Sequence, residues 1–139
     1  MSFFTFSREH NKQGSSNRDF LPVDLLYQLS YMSGIAAAGI PRSQVFQLGG
    51  QLPTSASRYF HEVTRLTKMN YGYAEACGIV AESAKEQEVK SLLLRLAGSL
   101  GSGEREVDFM EREARVQAES YNNLYERQLE SMKKWTDGY

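Results

Sequence analysis

A single cysteine, Cys77, leaves the 139-residue chain unable to form an internal disulfide, so nothing in it asks for an oxidising compartment and a reducing cytosol fits best. A surplus of charge is missing too: 16 Lys and Arg stand against 17 Asp and Glu, a formal net charge of -1. That balance argues against general nucleic-acid binding, which needs clustered Lys and Arg to displace counterions from phosphates. Alternation of apolar and polar residues typical of strands is absent throughout. Long hydrophobic runs are absent as well. Leu25 to Pro41, LLYQLSYMSGIAAAGIP, has no charge, but it holds Gln28, Ser30, Ser33, two glycines and a closing proline. It is also shorter than the roughly 20 apolar residues a membrane span requires, so it reads as a buried helix. Met1 to Asn17 offers Phe3, Phe4 and Phe6 and then a polar run, without the basic start and apolar core of a signal peptide.

With 41% hydrophobic and 24% charged residues, the composition is that of an ordinary globular domain. The chain is long enough for one core and short for two. Residues 1–18 are expected to form a flexible N-terminal segment, and residues 19–139 a single helical domain. Only three prolines occur, Pro22, Pro41 and Pro53, each placed as a first-turn proline would be, while Gly39, Gly49 and Gly72 sit where helices would end.

These marks cut the chain into short helices. The first runs from about Pro22 to Ala38 with Leu21, Leu25, Leu29, Met32 and Ala36 on one face; its small-residue end, Gly34 to Gly39, is expected at a tight helix crossing. A short helix follows from Pro41 to about Leu48. The next starts at Thr54 or Ser55, with a hydroxyl N-cap, and reaches Tyr71 with Ala56, Tyr59, Val63 and Leu66 as its stripe. Tyr73 to Ala84 comes next, then Glu86 to Leu100, whose Val89, Leu92, Leu93, Leu96 and Leu100 are the strongest core signal. From Glu104 to about Thr136 nothing breaks the helix, a rod of about 50 Å at 1.5 Å per residue. Met110, Ala114, Ala118, Tyr121, Tyr125, Leu129 and Met132 recur along it, so its distal half should pack on a second copy or on an element this chain lacks. The fold class is therefore all-α, a bundle of about six helices with a long C-terminal helix.

Motifs that carry chemistry fail on inspection. In GSLGSGER, Gly98 to Arg105, three glycines suggest a phosphate cradle, but a leucine-striped helix precedes them and Glu104 stands where the lysine of a Walker loop belongs. A helix stop at Gly101 and Gly103 fits better, with Ser102 capping the long helix and Glu104 and Glu106 suiting its positive end. His61-Glu62-Val63-Thr64-Arg65 begins like a zinc-protease helix, yet Arg65 occupies the second ligand position. His61 reads as a surface residue and Cys77, among Ala74, Ala76 and Ile79, as a buried thiol. Glu104, Asp108 and Glu111 share a face at i, i+4 and i+7; a solvated face beside Arg105, Arg112 and Arg115 is the commoner outcome than a cation site. Trp135 and Tyr139 beside Lys133 and Lys134 suit a membrane interface or a frayed helix end equally. The expectation is no catalytic residue, no cofactor and no metal.

A set of junctions carries a resemblance. Leu21-Pro22 opens a helix that ends in Ala38-Gly39-Ile40-Pro41; Leu52-Pro53 with Tyr59-Phe60 opens a second unit; Ser91-Leu92-Leu93-Leu94-Arg95 leads to Gly101-Ser102-Gly103-Glu104 and Asp108-Phe109. In order and spacing these resemble the cytoplasmic domain of the type II secretion system F family, in particular its archaeal branch, which includes the platform protein of the archaellum. The similarity spans roughly Asp19 to Tyr139.

The resemblance implies the soluble helical domain of a polytopic membrane protein at the base of a type IV pilus-like machine, on the cytoplasmic side of the plasma membrane. Its implied partners are a cytoplasmic secretion ATPase and pilin-like subunits. It implies no chemistry of its own, only relayed force or rotation, often as a dimer. No membrane span occurs in this sequence, so the chain looks like an excised piece ending near the bilayer, held to it through segments outside this sequence. Exposed charges at Arg42, Arg58, Arg65 and Lys68 are the expected docking residues, since charge complementarity sets specificity and on-rate. The alternative reading is a homodimeric scaffold or regulator in which the long helix is a dimerisation arm.

Overall fold

The computed structural model describes residues 22–138, and both the 1–18 segment and Tyr139 lie outside them. Six helices and no strand occur among the described residues: α1 (Pro22–Ala37), α2 (Arg42–Gly49), α3 (Ser57–Lys68), α4 (Tyr73–Ser83), α5 (Gln87–Gly101) and α6 (Glu106–Asp137). The all-α bundle with a long last helix is thus what the molecule adopts.

Periodicity decides which side of each helix goes inward. On α1, Leu25, Leu29 and Met32 are buried; on α3, Tyr59, Val63 and Leu66 follow, with Ala56 just ahead of them. All five leucine-stripe positions of α5, from Val89 to Leu100, lie in the same core, with Phe46 and Phe60 tilted against each other at a centroid separation of 6.1 Å. Two pairings dominate the assembly: α1 lies along α6, and α4 lies along α5. The small helices α2 and α3 bridge the pairs. Each fully buried large apolar side chain contributes about 1.5–3 kcal/mol relative to exposure, so this one core is the main source of stability.

Three helices stop the same way. In α5 the Glu104 N–H donates to the Ser99 carbonyl at 3.0 Å and the Gly103 N–H to Leu100 at 3.2 Å, with Gly103 at φ 93°. This is a Schellman motif, and the left-handed residue it needs is why a glycine stands there. The GSLGSGER stretch is therefore a helix stop. Ile40 and Gly39 repeat the pattern onto Ile35 and Ala36 at the end of α1, and Tyr71 and Asn70 repeat it onto Leu66 and Thr67 at the end of α3. Asn70, at φ 73°, takes the left-handed position there, so Asn70 rather than Gly72 terminates α3. Gly72 instead opens α4 as its N-cap in extended conformation.

Other junctions also correct the sequence reading. Ser102 does not cap the long helix; its hydroxyl donates back to the Ser99 carbonyl at 2.9 Å, and Arg105 occupies the N-cap. Pro53 lies in the loop before α3, which starts only at Ser57; Thr54 still acts as a distant cap, its hydroxyl accepting the Ser57 N–H at 3.1 Å. The small-residue end of α1 does not lie at a tight crossing. Ile35 and Ala36 pack inward there, leaving Gly34, Ala37 and Ala38 facing out, and a side chain added at Gly34 would meet nothing within 4 Å. The close approach is elsewhere: a Cβ at Gly50 would stand 2.8 Å from the His61 backbone.

A polar clamp ties the loop before α3 onto α1. Gln28, fully buried, donates to the Gly49 carbonyl at 2.7 Å and to the Met32 sulfur at 3.3 Å, and accepts from the Thr54 hydroxyl at 2.5 Å. One turn earlier, the Asp24 carboxylate accepts from the Ser55 N–H at 3.0 Å and hydroxyl at 2.7 Å. Buried polar groups have to be satisfied this way, and these bonds fix where α3 begins.

Candidate docking surface

The four expected docking cations divide between two places. Arg42 opens α2 and reaches across to the start of α6, where its Nε donates to Glu106 at 2.9 Å while the guanidinium lies 5.7 Å over the Tyr73 ring. It serves there as an internal tie. Arg58, Arg65 and Lys68 share α3, and all three are exposed.

The α3 cations differ in what holds them. Arg65 donates to Glu62 from Nε at 3.0 Å and Nη2 at 2.8 Å, an i, i+3 pair on the helix surface. Lys68 has no ion pair among the described residues. Arg58 sits in a triangle: its Nη2 donates to the Tyr59 hydroxyl at 2.9 Å and to Glu86 at 3.0 Å, while Tyr59 itself donates to the other oxygen of Glu86. Burial of Tyr59, reinforced by the acceptor Glu86, pushes its hydroxyl above the ordinary value of 10.0. Burial alone would raise Glu86, but the Tyr59 hydrogen bond and the Arg58 charge outweigh it and hold the carboxyl below 4.5. The sequence placed Tyr59 in a core stripe and gave Glu86 no role, because a pair 27 residues apart leaves no local periodic signal.

The second surface is α6 itself. Its first turns are built in: Phe109, Met110 and Glu113 are buried, and Glu113 accepts from the Arg95 Nε at 3.1 Å across from α5. From Glu119 onward every described residue is exposed. The apolar stripe nevertheless continues through Tyr121, Leu124, Tyr125, Leu129 and Met132, with Gln128 as a polar member of the same side. At 100° per residue these fall within one side of the helix, whereas Glu126, Arg127, Glu130, Lys133 and Lys134 fall on the other. Periodicity alone could not say where along α6 the bundle ends.

No cluster of three or more metal-ligating side chains occurs among the described residues. Glu104 is taken up by Arg112 at 2.8 Å and Asp108 by Arg105 at 3.4 Å. Burial pushes the Cys77 thiol up to about 12, which suppresses the thiolate that a nucleophile requires. No described helix is long and apolar enough to cross a membrane. No family model matches the chain, and neither does any curated protein or solved structure.

Proposed function

We propose that the chain is the cytoplasmic domain of a membrane platform protein in a type II secretion or type IV pilus-like assembly machine. In this reading the bundle docks on a cytoplasmic secretion ATPase, and α6 relays its movements toward the membrane, where pilin-like subunits are assembled. The observation that carries it is the division of α6: a 32-residue helix whose first turns are locked into the core and whose remaining turns stand outside it. An α-helix resists stretching because its hydrogen bonds run along its axis, so an axial displacement of the bundle would be carried along it toward the far end. The resemblance of the helix junctions to the F family supports the same reading; Gly39-Ile40-Pro41 and Gly101-Ser102-Gly103-Glu104 each fall at a helix boundary.

Two changes test it. Reversing charge at Arg58 and Arg65 should weaken binding to the cognate ATPase, and unchanged affinity would discard that face. Inserting two glycines after Glu119 should leave ATPase binding intact and abolish filament assembly, because it interrupts the helix without touching the core; normal assembly would refute the relay.

The alternative is a homodimeric scaffold or regulator, favoured by the same exposed stripe. Light scattering on the purified chain separates the two readings: a dimer that Leu124→Glu and Leu129→Glu together dissociate, with no affinity for the ATPase, supports the scaffold.

A further inference from the structure

Beside α3 and the α4–α5 junction lies a pocket of about 330 Å³ lined by Arg58, Tyr59, His61, Glu62, Ser83 and Lys85. We infer that this pocket binds a carboxylate presented by an acidic segment of a partner protein. The proposal stands on what each side chain has left to offer. Both carboxylates at the site are engaged, Glu62 by two bonds from Arg65 and Glu86 by Tyr59 and Arg58. The donors are not. Lys85 and His61 are exposed and make no hydrogen bond or ion pair among the described residues, and Arg58 commits only its Nη2. Among the residues that line the pocket, Arg58 and Lys85 are fixed cations and Glu62 is a carboxylate, and the outer partners of their ion pairs, Arg65 and Glu86, cancel, which leaves one net positive charge. That excess matches a single carboxylate and is poorly matched to a dianionic phosphate, whose doubled charge the two glutamates repel more strongly.

The site is also held in shape before a ligand arrives. Tyr59 is buried and its ring lies 4.9 Å under the Arg58 guanidinium, so Arg58 is fixed from below by the ring and from the side by Glu86. Fixing the long side chain in advance removes part of the entropy cost of binding. The first turn of α3 contains no acidic residue, so its positive end adds to the same potential. The pocket shares Arg58 with the face proposed to dock the ATPase, but a peptide titration reads the pocket without the ATPase and whether or not α6 relays force, so the two readings can fail separately.

The test is a titration of the ¹⁵N-labelled chain followed by amide chemical shifts, with a blocked tetraglutamate peptide as the probe. A blocked tetraglutamine peptide and inorganic phosphate are the controls. Saturable shifts centred on Arg58, His61, Ser83 and Lys85 are expected with tetraglutamate alone. Lys85→Gln should weaken the affinity severalfold, Lys85→Glu by about tenfold or more, and His61→Gln less than either. Both lysine variants should keep the wild-type circular dichroism spectrum, because Lys85 is exposed and unpaired. Shifts of equal size with tetraglutamine, or shifts that survive Lys85→Glu unchanged, would overturn the proposal. Tighter binding of phosphate than of the peptide would overturn the carboxylate assignment.

Discussion

Gln28 offers the sharpest check on how the bundle is held together, because its amide is completely enclosed and each of its polar atoms has a partner. Gln28→Leu keeps most of the volume and removes the hydrogen bonds. The Gly49 carbonyl would retain only the Leu52 N–H at 3.5 Å, and the Thr54 hydroxyl would lose the acceptor now 2.5 Å away. Leaving a buried polar group unsatisfied costs about 1–3 kcal/mol, a cost met here at both the Gly49 carbonyl and the Thr54 hydroxyl, and the leucine side chain recovers part of the sum through burial. The net expectation is a loss of about 2–3 kcal/mol, a large fraction of the 5–15 kcal/mol typical of a domain. Urea denaturation followed by circular dichroism reads this directly: with a slope of about 1–3 kcal/mol per molar, the midpoint should fall by about 1 M or more. Thr54→Val removes the partner from the other side. If the two groups act on each other as the geometry indicates, the double variant should lose at least about 0.5 kcal/mol less than the sum of the single changes. A neutral Gln28→Leu, or strict additivity with Thr54→Val, would refute the clamp.

Gly50→Ala should destabilise by about 1–3 kcal/mol and Gly49→Ala by less, since the first Cβ meets the His61 backbone at 2.8 Å while the second meets the flexible Met32 side chain at 2.6 Å; thermal melts of the pair rank them. Arg95→Ala should cost more stability than Glu113→Gln at pH 7, because the Glu113 side chain is 7% exposed and would be left charged without its partner, whereas Arg95, at 48%, can hydrate. Cys77 should resist a thiol reagent at pH 8 until denaturant is added, since a thiol pushed up to about 12 is ionised in only on the order of one molecule in 10,000. Glu86, depressed in the folded state, contributes stability above its ordinary value of 4.5 and loses it as the pH falls through the folded value. Tyr59→Phe should therefore cost about 1 kcal/mol at pH 7 and progressively less below pH 4.5, and a constant difference across that range would count against the triangle.

How much of this the sequence disclosed depends on whether the cause was local. The stripe of α5 was legible because Val89, Leu92, Leu93, Leu96 and Leu100 all face one core and the helix is amphipathic along its length. The stop at Gly101 to Gly103 was legible for a similar reason, as a left-handed residue is a property of the backbone at that point. The end of α3 was misplaced because Asn70 did the work expected of Gly72, and asparagine is far less often left-handed than glycine. The exposure of Gly34, Ala37 and Ala38 depended on which side of α1 the rest of the bundle occupies, and no local pattern reports that. The cations expected to dock divide in the same way: nothing near Arg42 in the chain announces its bond to Glu106, 64 positions away.

The exposed part of α6 is a different kind of result, because there local pattern and tertiary structure disagree. The residues of its stripe follow the same spacing as those buried nearer its start, yet Leu129 is 47% exposed and Met110 is not exposed at all. Helix propensity does not call for such a stripe, since polar residues on every side would hold a helix as well through i, i+4 pairs. A protein left alone in water gains nothing from an apolar line, and a patch of this kind promotes association. The charges confined to the opposite side mark which side stays in water. A contact that the described bundle does not make would cover the stripe, and the homodimeric reading names a second copy of the chain as what fills it.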